Sequence, residues 1–207
     1  MVKSLHEIFA SGIKPRTRFV EFFSGVELDS ERWHYADING SNSGAMSDSV
    51  NGGYKITTAG ADSNSAMISF NDIRQFTAGG NVSISVWKKD IELSAGLGGL
   101  VSVDSAIHPT TQCAVTRNGS TSTKIALLTG DSSTSATDSS LDDDTAFHVY
   151  KIECTSPNIQ QTIDGVLEIV KTTNRPTTNL QPFFGVQKRT EAGTAVYNLT
   201  YCEVYNS

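Results

Sequence analysis

Residues 148–170 read HVYKIECTSPNIQQTIDGVLEIV, and this stretch decides the fold class. His148, Tyr150, Ile152 and Cys154 alternate with Val149, Lys151 and Glu153, the period-2 pattern of a strand whose two faces meet different surroundings. Asp164-Gly165 then separates IQQTI from VLEIV. An Asp-Gly pair supplies the two positive-φ residues of a tight primed turn, so the flanking runs predict a two-residue β-hairpin. A hairpin alone is marginal in water, and its apolar face needs further strands and a second layer.

The same punctuation extends outward. Val82, Ile84 and Val86 alternate with Ser83, Ser85 and Trp87, which predicts another half-buried strand. The run from Val196 to Tyr205 predicts a strand with Tyr197, Leu199, Tyr201 and Tyr205 on one face. Asn118-Gly119 marks a second hairpin, between CAVTR and STSTKIALL. RFVEFF, WHYADI, YKITT, AMISF, GLVSV and FFGVQ read as further strands, for about a dozen in all. The fold class expected is therefore all-β, an antiparallel two-sheet jelly-roll sandwich over residues 16–207. Residues 129–145, TGDSSTSATDSSLDDDT, carry five Asp and few apolar groups and are expected as a solvated loop or flap.

A short N-terminal helix is expected ahead of the sandwich, in an arm over residues 1–15. Ser4 and Glu7 have capping-box spacing, and Gly12 sits where a helix stop belongs. Leu5, Ile8 and Phe9 form its apolar stripe. So short a helix is unstable alone, so it must dock, either on the protein's own sheet or, on the sharper reading, as a peg in a partner chain of an oligomer.

Composition narrows the function. The chain has 207 residues, 38% hydrophobic and only 18% charged, with 25 Ser and 22 Thr. That is enough apolar material for a core, and too little charge for a disordered segment. Net charge is −6 and no basic run occurs, so neither nucleic acid nor an anionic membrane surface is an expected partner. The N-terminal ten residues contain Lys3, His6 and Glu7, which fits cytoplasmic synthesis without a secretory signal. Cys113, Cys154 and Cys202 lie far apart without a CxxC pair, and read as small buried hydrophobes, one disulfide remaining open as an alternative.

The order of signals resembles the concanavalin A-like lectin/glucanase superfamily. FVEFFSGVELDSERW at 19–33 is similar to that superfamily's opening, with an aromatic strand, Leu28-Asp29 and Trp33. NVSISVWKK at 81–89 resembles its sheet-crossing strand, HVYKIEC with IQQTIDGVLEIV its His-x-Tyr strand and Asp-Gly hairpin, and AVYNLTYCEVYN its last strand. The resemblance implies a jelly roll and raises glycoside hydrolysis, which needs two carboxyls about 5–5.5 Å apart for a retaining reaction. Laminarinase-type members place them on a Glu-x-Asp-x-(x)-Glu strand. The strand expected in that position here, TQCAVTRNG at 111–119, has no acid. Asp90-Ile91-Glu92 is the nearest substitute and reads as a strand terminus.

No catalytic residue is therefore expected. The function expected is a noncatalytic structural or surface-display module, assembling with other chains on a particle surface such as a virion. The alternative is a lectin-like module, with Trp87 as a platform for a sugar face and Lys151 and Glu153 beside it. A divergent glucanase is the third reading, if folding brings separated acids together. No cofactor is expected. Calcium is raised by the superfamily alone, with Asp142, Asp143 and Asp144 as oxygen donors, although consecutive acids do not converge on one ion.

Overall fold

The computed structural model describes residues 17–47, 52–60, 63–70, 73, 75–90, 94–102, 112–119, 123–189 and 193–207. The expected helix with Leu5, Ile8 and Phe9 lies outside the described residues. Within them the chain is all strand and turn. The strands are β1 (Arg18–Glu21), β2 (His34–Asn39), β3 (Ser43–Met46), β4 (Tyr54–Thr57) and β5 (Ser65–Ser69). They continue with β6 (Gly80–Lys89), β7 (Ala95–Val101), β8 (Cys113–Asn118), β9 (Lys124–Gly130) and β10 (Thr134–Asp142). The last are β11 (His148–Thr155), β12 (Asn158–Ile163), β13 (Val166–Lys171), β14 (Gln181–Gln187) and β15 (Val196–Asn206).

They form two antiparallel sheets. One runs β13-β12-β11-β6-β15-β4-β3, with β1 also on β15, and the other runs β10-β9-β8-β7-β14-β5-β2. The sandwich is the jelly roll the alternation predicts, and Asp164-Gly165 is its tight β12–β13 turn, with φ of 49° and 86°. The β8–β9 hairpin also forms, over a longer connection than its Asn118-Gly119 pair.

Two expectations are corrected. The Ser/Asp-rich stretch is no flap, because Thr134–Asp142 is edge strand β10, paired with β9 and mostly solvated. Its polar side chains suit an edge that must stay in water. In β15 the register shifts between Leu199 and Tyr201. That bulge keeps Tyr197 and Leu199 in the core and moves Tyr201 and Tyr205 off their face, so the four do not share one.

The core between the sheets is aromatic. Phe19, Trp33 and Phe70 meet edge-on, and Trp87 stacks on Tyr150 at 4.3 Å and leans on Tyr197 at 5.0 Å. Every position of β5, β7 and β14 is buried. A second cluster, with Met67, Leu97, Val115 and Phe183, marks the other face of their sheet as apolar too. Cys113, Cys154 and Cys202 are buried free thiols. Burial pushes Cys113 and Cys154 up to about 12, which makes them poor nucleophiles.

Candidate functional site

Trp87 is fully buried and cannot serve as a platform for a ligand. The period-2 reading grouped it correctly with Ser83 and Ser85, but that face of β6 is the core and all three are buried. Lys151 and Glu153 lie on the opposite face, half-buried, and pair with each other at 3.0 Å. They flank Ile84 and Val82 of β6 in register. Trp87 and this ion pair therefore belong to opposite surfaces of one sheet and form no common site.

The acids separate as well. Asp142 pairs with Lys124 at 2.7 Å, Asp143 with the fully buried Lys89 at 2.8 Å, and Asp144 with His148 at 3.0 Å. Each carboxylate is turned to a different cation, so the three do not form one set of calcium ligands. Asp90 meets Lys88 at 3.2 Å, while Ile91 and Glu92 lie outside the described residues. On β8, Thr116 accepts from Gln161 of the opposite sheet and Asn118 donates to the Tyr150 hydroxyl, so alternation turns Cys113, Val115 and Arg117 to the other face. Those positions carry a thiol, an alkyl group and a guanidinium.

His148 stands between two carboxylates, with Nδ1 2.6 Å from Asp164 Oδ2 and Nε2 3.0 Å from Asp144 Oδ1. Burial pulls its pKa down, but the hydrogen bonds and charges of Asp164 and Asp144 outweigh this and raise it. Burial likewise pushes Asp164 up, and the bonds from His148 and the Val149 amide hold it below the usual carboxylate range. The trio clamps the β10–β11 connection to the β12–β13 turn.

A cavity of about 420 Å³ opens at the other edge, where β2 of one sheet and β3 and β4 of the other end the sandwich. Trp33, Tyr35 and Tyr54 line it, the Tyr35 ring half-buried and the other two buried, and Glu31, Arg32 and His34 are among its polar lining. The segment before β2 is shaped by Asp29, whose carbonyl accepts from the amides of Arg32 and Trp33 and whose carboxylate accepts from the Glu31 amide. Gly44 makes the close approach possible. A Cβ there would collide with the Tyr54 hydroxyl and stand 2.9 Å from Tyr35 Cδ2. Burial first, then Asp37 and Tyr54, pushes the Tyr35 phenol up to about 12, and burial does the same for Tyr54. Both phenols therefore stay protonated. Among the described residues, Trp33 Nε1 and Tyr35 OH are buried and have no hydrogen-bond partner.

Trp33 sits mostly in the core, and sequence reasoning did not single out Tyr35, Tyr54 or Arg32. The aromatic pair in WHYADI was the available signal. What it lacked was the pairing of β2 and β4 across two sheets, which no linear spacing encodes.

No protein-family model matches the sequence, and no curated protein matches it. Solved structures do share the fold. A structure of the endo-acting O-glycanases with which human gut microbiota initiate mucin breakdown has a TM-score of 0.66 at 12% identity, covering 91% of this chain and 98% of that one. The β-glucanase of Bacillus licheniformis has a TM-score of 0.62 at 12% identity, covering 92% and 98%. A laminarinase from a Flavobacterium species has a TM-score of 0.63 at 16% identity, covering 91% and 99%. The chain thus shares the jelly-roll fold of these solved laminarinase and β-glucanase structures. This corrects the expectation of a noncatalytic structural module on a virion, because the frame it shares is that of carbohydrate-active enzymes. The reason for the error is physical. A strand without acids excludes one placement of a carboxylate pair and says nothing about the rest of the surface.

Proposed function

We propose that this chain is a carbohydrate-active, enzyme-like module that engages a glycan chain at the edge pocket between β2 and β4. The observation that carries the reading is the pocket's combination of the half-buried Tyr35 ring with the exposed side chains of Glu31 and Arg32. A sugar ring offers an apolar C–H face to an aromatic side chain and hydroxyl acceptors to N–H and O–H groups. Arg32 and Glu31 add a donor set and an acceptor for flanking hydroxyls. The fold supports the same reading, since its structural relatives are named for glycan cleavage and transfer.

The test is a polysaccharide panel on the full chain, read for retention on immobilised glycan and for new reducing ends. Retention of at least one glycan is expected, weakened several-fold by Arg32→Ala and by Glu31→Gln while both variants keep the wild-type melting temperature. New reducing ends would establish glycoside cleavage as the activity. Retention unchanged in both variants would place the glycan elsewhere and overturn the pocket assignment, and no retention or cleavage on any polymer would overturn the function.

A further inference from the structure

A second cavity, of about 480 Å³, lies in the half of the sandwich away from the edge pocket. Its walls come from the end of β11 and start of β12, the turn after β9, the segment before β6, and the stretch between β13 and β14. We infer that it binds one neutral pyranose unit, a chain end or branch sugar, and the carbohydrate class of this ligand rests on the function proposed above.

Charge decides the class first. The charged residues lining the cavity are Asp131 and Arg175, one of each sign. A multiply charged anion would meet the carboxylate, and a cation would meet the guanidinium. A vicinal diol suits both, donating to Asp131 and accepting from Arg175. The side-chain amides of Asn158 and Asn174 also line the cavity and, among the described residues, take no hydrogen bond within the chain. Arg175 makes one there, a long 3.5 Å bond to Ser156 Oγ, which leaves most of its donors available. Ile159 and Pro176 give an apolar wall for the C–H face of a ring.

The polar wall is built in advance. Gln112 Nε2 donates to the Asp131 carbonyl at 2.7 Å and to its Oδ1 at 2.9 Å. Gln112 Oε1 accepts from the amides of Thr177 at 2.7 Å and Thr178 at 3.1 Å. One side chain thereby fixes the β9–β10 turn against the segment that carries Arg175, so the ligand need not order it. Without an aromatic ring in the lining, affinity belongs in the millimolar range, near 4 kcal/mol of binding free energy.

The experiment is a site-resolved titration of the ¹⁵N-labelled full chain with methyl glycosides of glucose, galactose, mannose and N-acetylglucosamine. Saturable shifts are expected at the amides of Asn158, Asn174, Thr177 and Thr178 for at least one sugar. Asp131→Asn and Arg175→Lys, conservative in shape and charge respectively, should each weaken that response at least tenfold while the rest of the spectrum stays dispersed. Absence of saturable shifts at these amides, or shifts that persist unchanged in both variants, overturns the inference. Polysaccharide retention that Arg32→Ala weakens, without any response here, would leave the edge-pocket function standing and remove this second site alone.

Discussion

Gly98 of β7 faces the Trp87 indole across the two sheets, and a Cβ at Gly98 would stand 2.5 Å from Nε1 of that ring and 2.9 Å from Cδ1 of Phe184. Gly96, on the same face, would bring a Cβ to 2.8 Å from Trp87 Cζ3. Gly96 and Gly98 of GLGGL are thus the space that Trp87 fills. Gly98→Ala is expected to destabilise by about 2–3 kcal/mol, because rings on both sides are held by the core and neither can yield. Urea unfolding should show a lower midpoint at unchanged slope. Trp87→Phe should recover part of the loss in the double variant, since a smaller ring frees the same volume.

That pairing also shows what the sequence made legible. Period 2 placed Trp87 with Ser83 and Ser85, the Asp164-Gly165 hairpin formed as expected, and the two-sheet class followed from strand count. The direction of β6 was not legible. Its serine–tryptophan side is the core and its Val82/Ile84/Val86 side points away, covered by Lys151, Glu153, Glu203 and Tyr205 of the neighbouring strands. Hydrophobicity alone would orient it the other way, because the glycines that open room for an indole belong to the opposite sheet. The edge pocket was hidden for the same kind of reason. Tyr35 and Tyr54 meet only after β2 and β4 have joined different sheets, and Gly44 between them carries no chemistry of its own in the sequence.

Tyr35 separates stability from function at the edge pocket. Its hydroxyl is buried and has no partner among the described residues, so removing it relieves a desolvation cost. Tyr35→Phe is expected to leave the melting temperature unchanged or raise it, by up to about 1 kcal/mol in stability. The same variant should leave glycan retention unchanged, because the hydroxyl has no surface for a ligand to reach and the ring is kept. Calorimetry and glycan affinity chromatography on one preparation check both halves. A stability loss would mean that the hydroxyl is already satisfied within the fold.

Lys89 and Asp143 form the most buried ion pair among the described residues, the Lys side chain having no exposure. Lys89 Nζ also donates to the Ser94 carbonyl at 3.2 Å. Removing one partner of a buried ion pair withdraws a compensating charge and typically costs 3–5 kcal/mol. Asp143 is partly open to solvent, so Asp143→Asn is expected at the lower end, about 3 kcal/mol. Lys89→Met with Asp143→Asn should be milder than Asp143→Asn alone, because no charge then remains inside. Equilibrium denaturation of the three proteins gives the comparison.

The clamp at His148 predicts a particular pH dependence. Its folded pKa lies above the ordinary value of about 6.5, so its contribution to stability is complete below that pH and is lost as pH rises through the folded value. Asp164 has a folded pKa below the ordinary value of about 3.9, so its contribution is present above that pH and is lost as pH falls through the folded value. The two signs define a stability plateau between about 4 and 6.5 with a decline on either side. Above pH 8.5 the buried thiols add a separate loss as cysteines ionise in the unfolded chain, so the informative window runs from about 6.5 to 8. In that window wild-type melting temperature should fall with pH. His148→Gln, which carries no titrating proton, should start lower and run flatter. An equal slope in both proteins would mean that His148 does not titrate against Asp144 and Asp164 in the folded state, and that the trio is held by neutral hydrogen bonds alone.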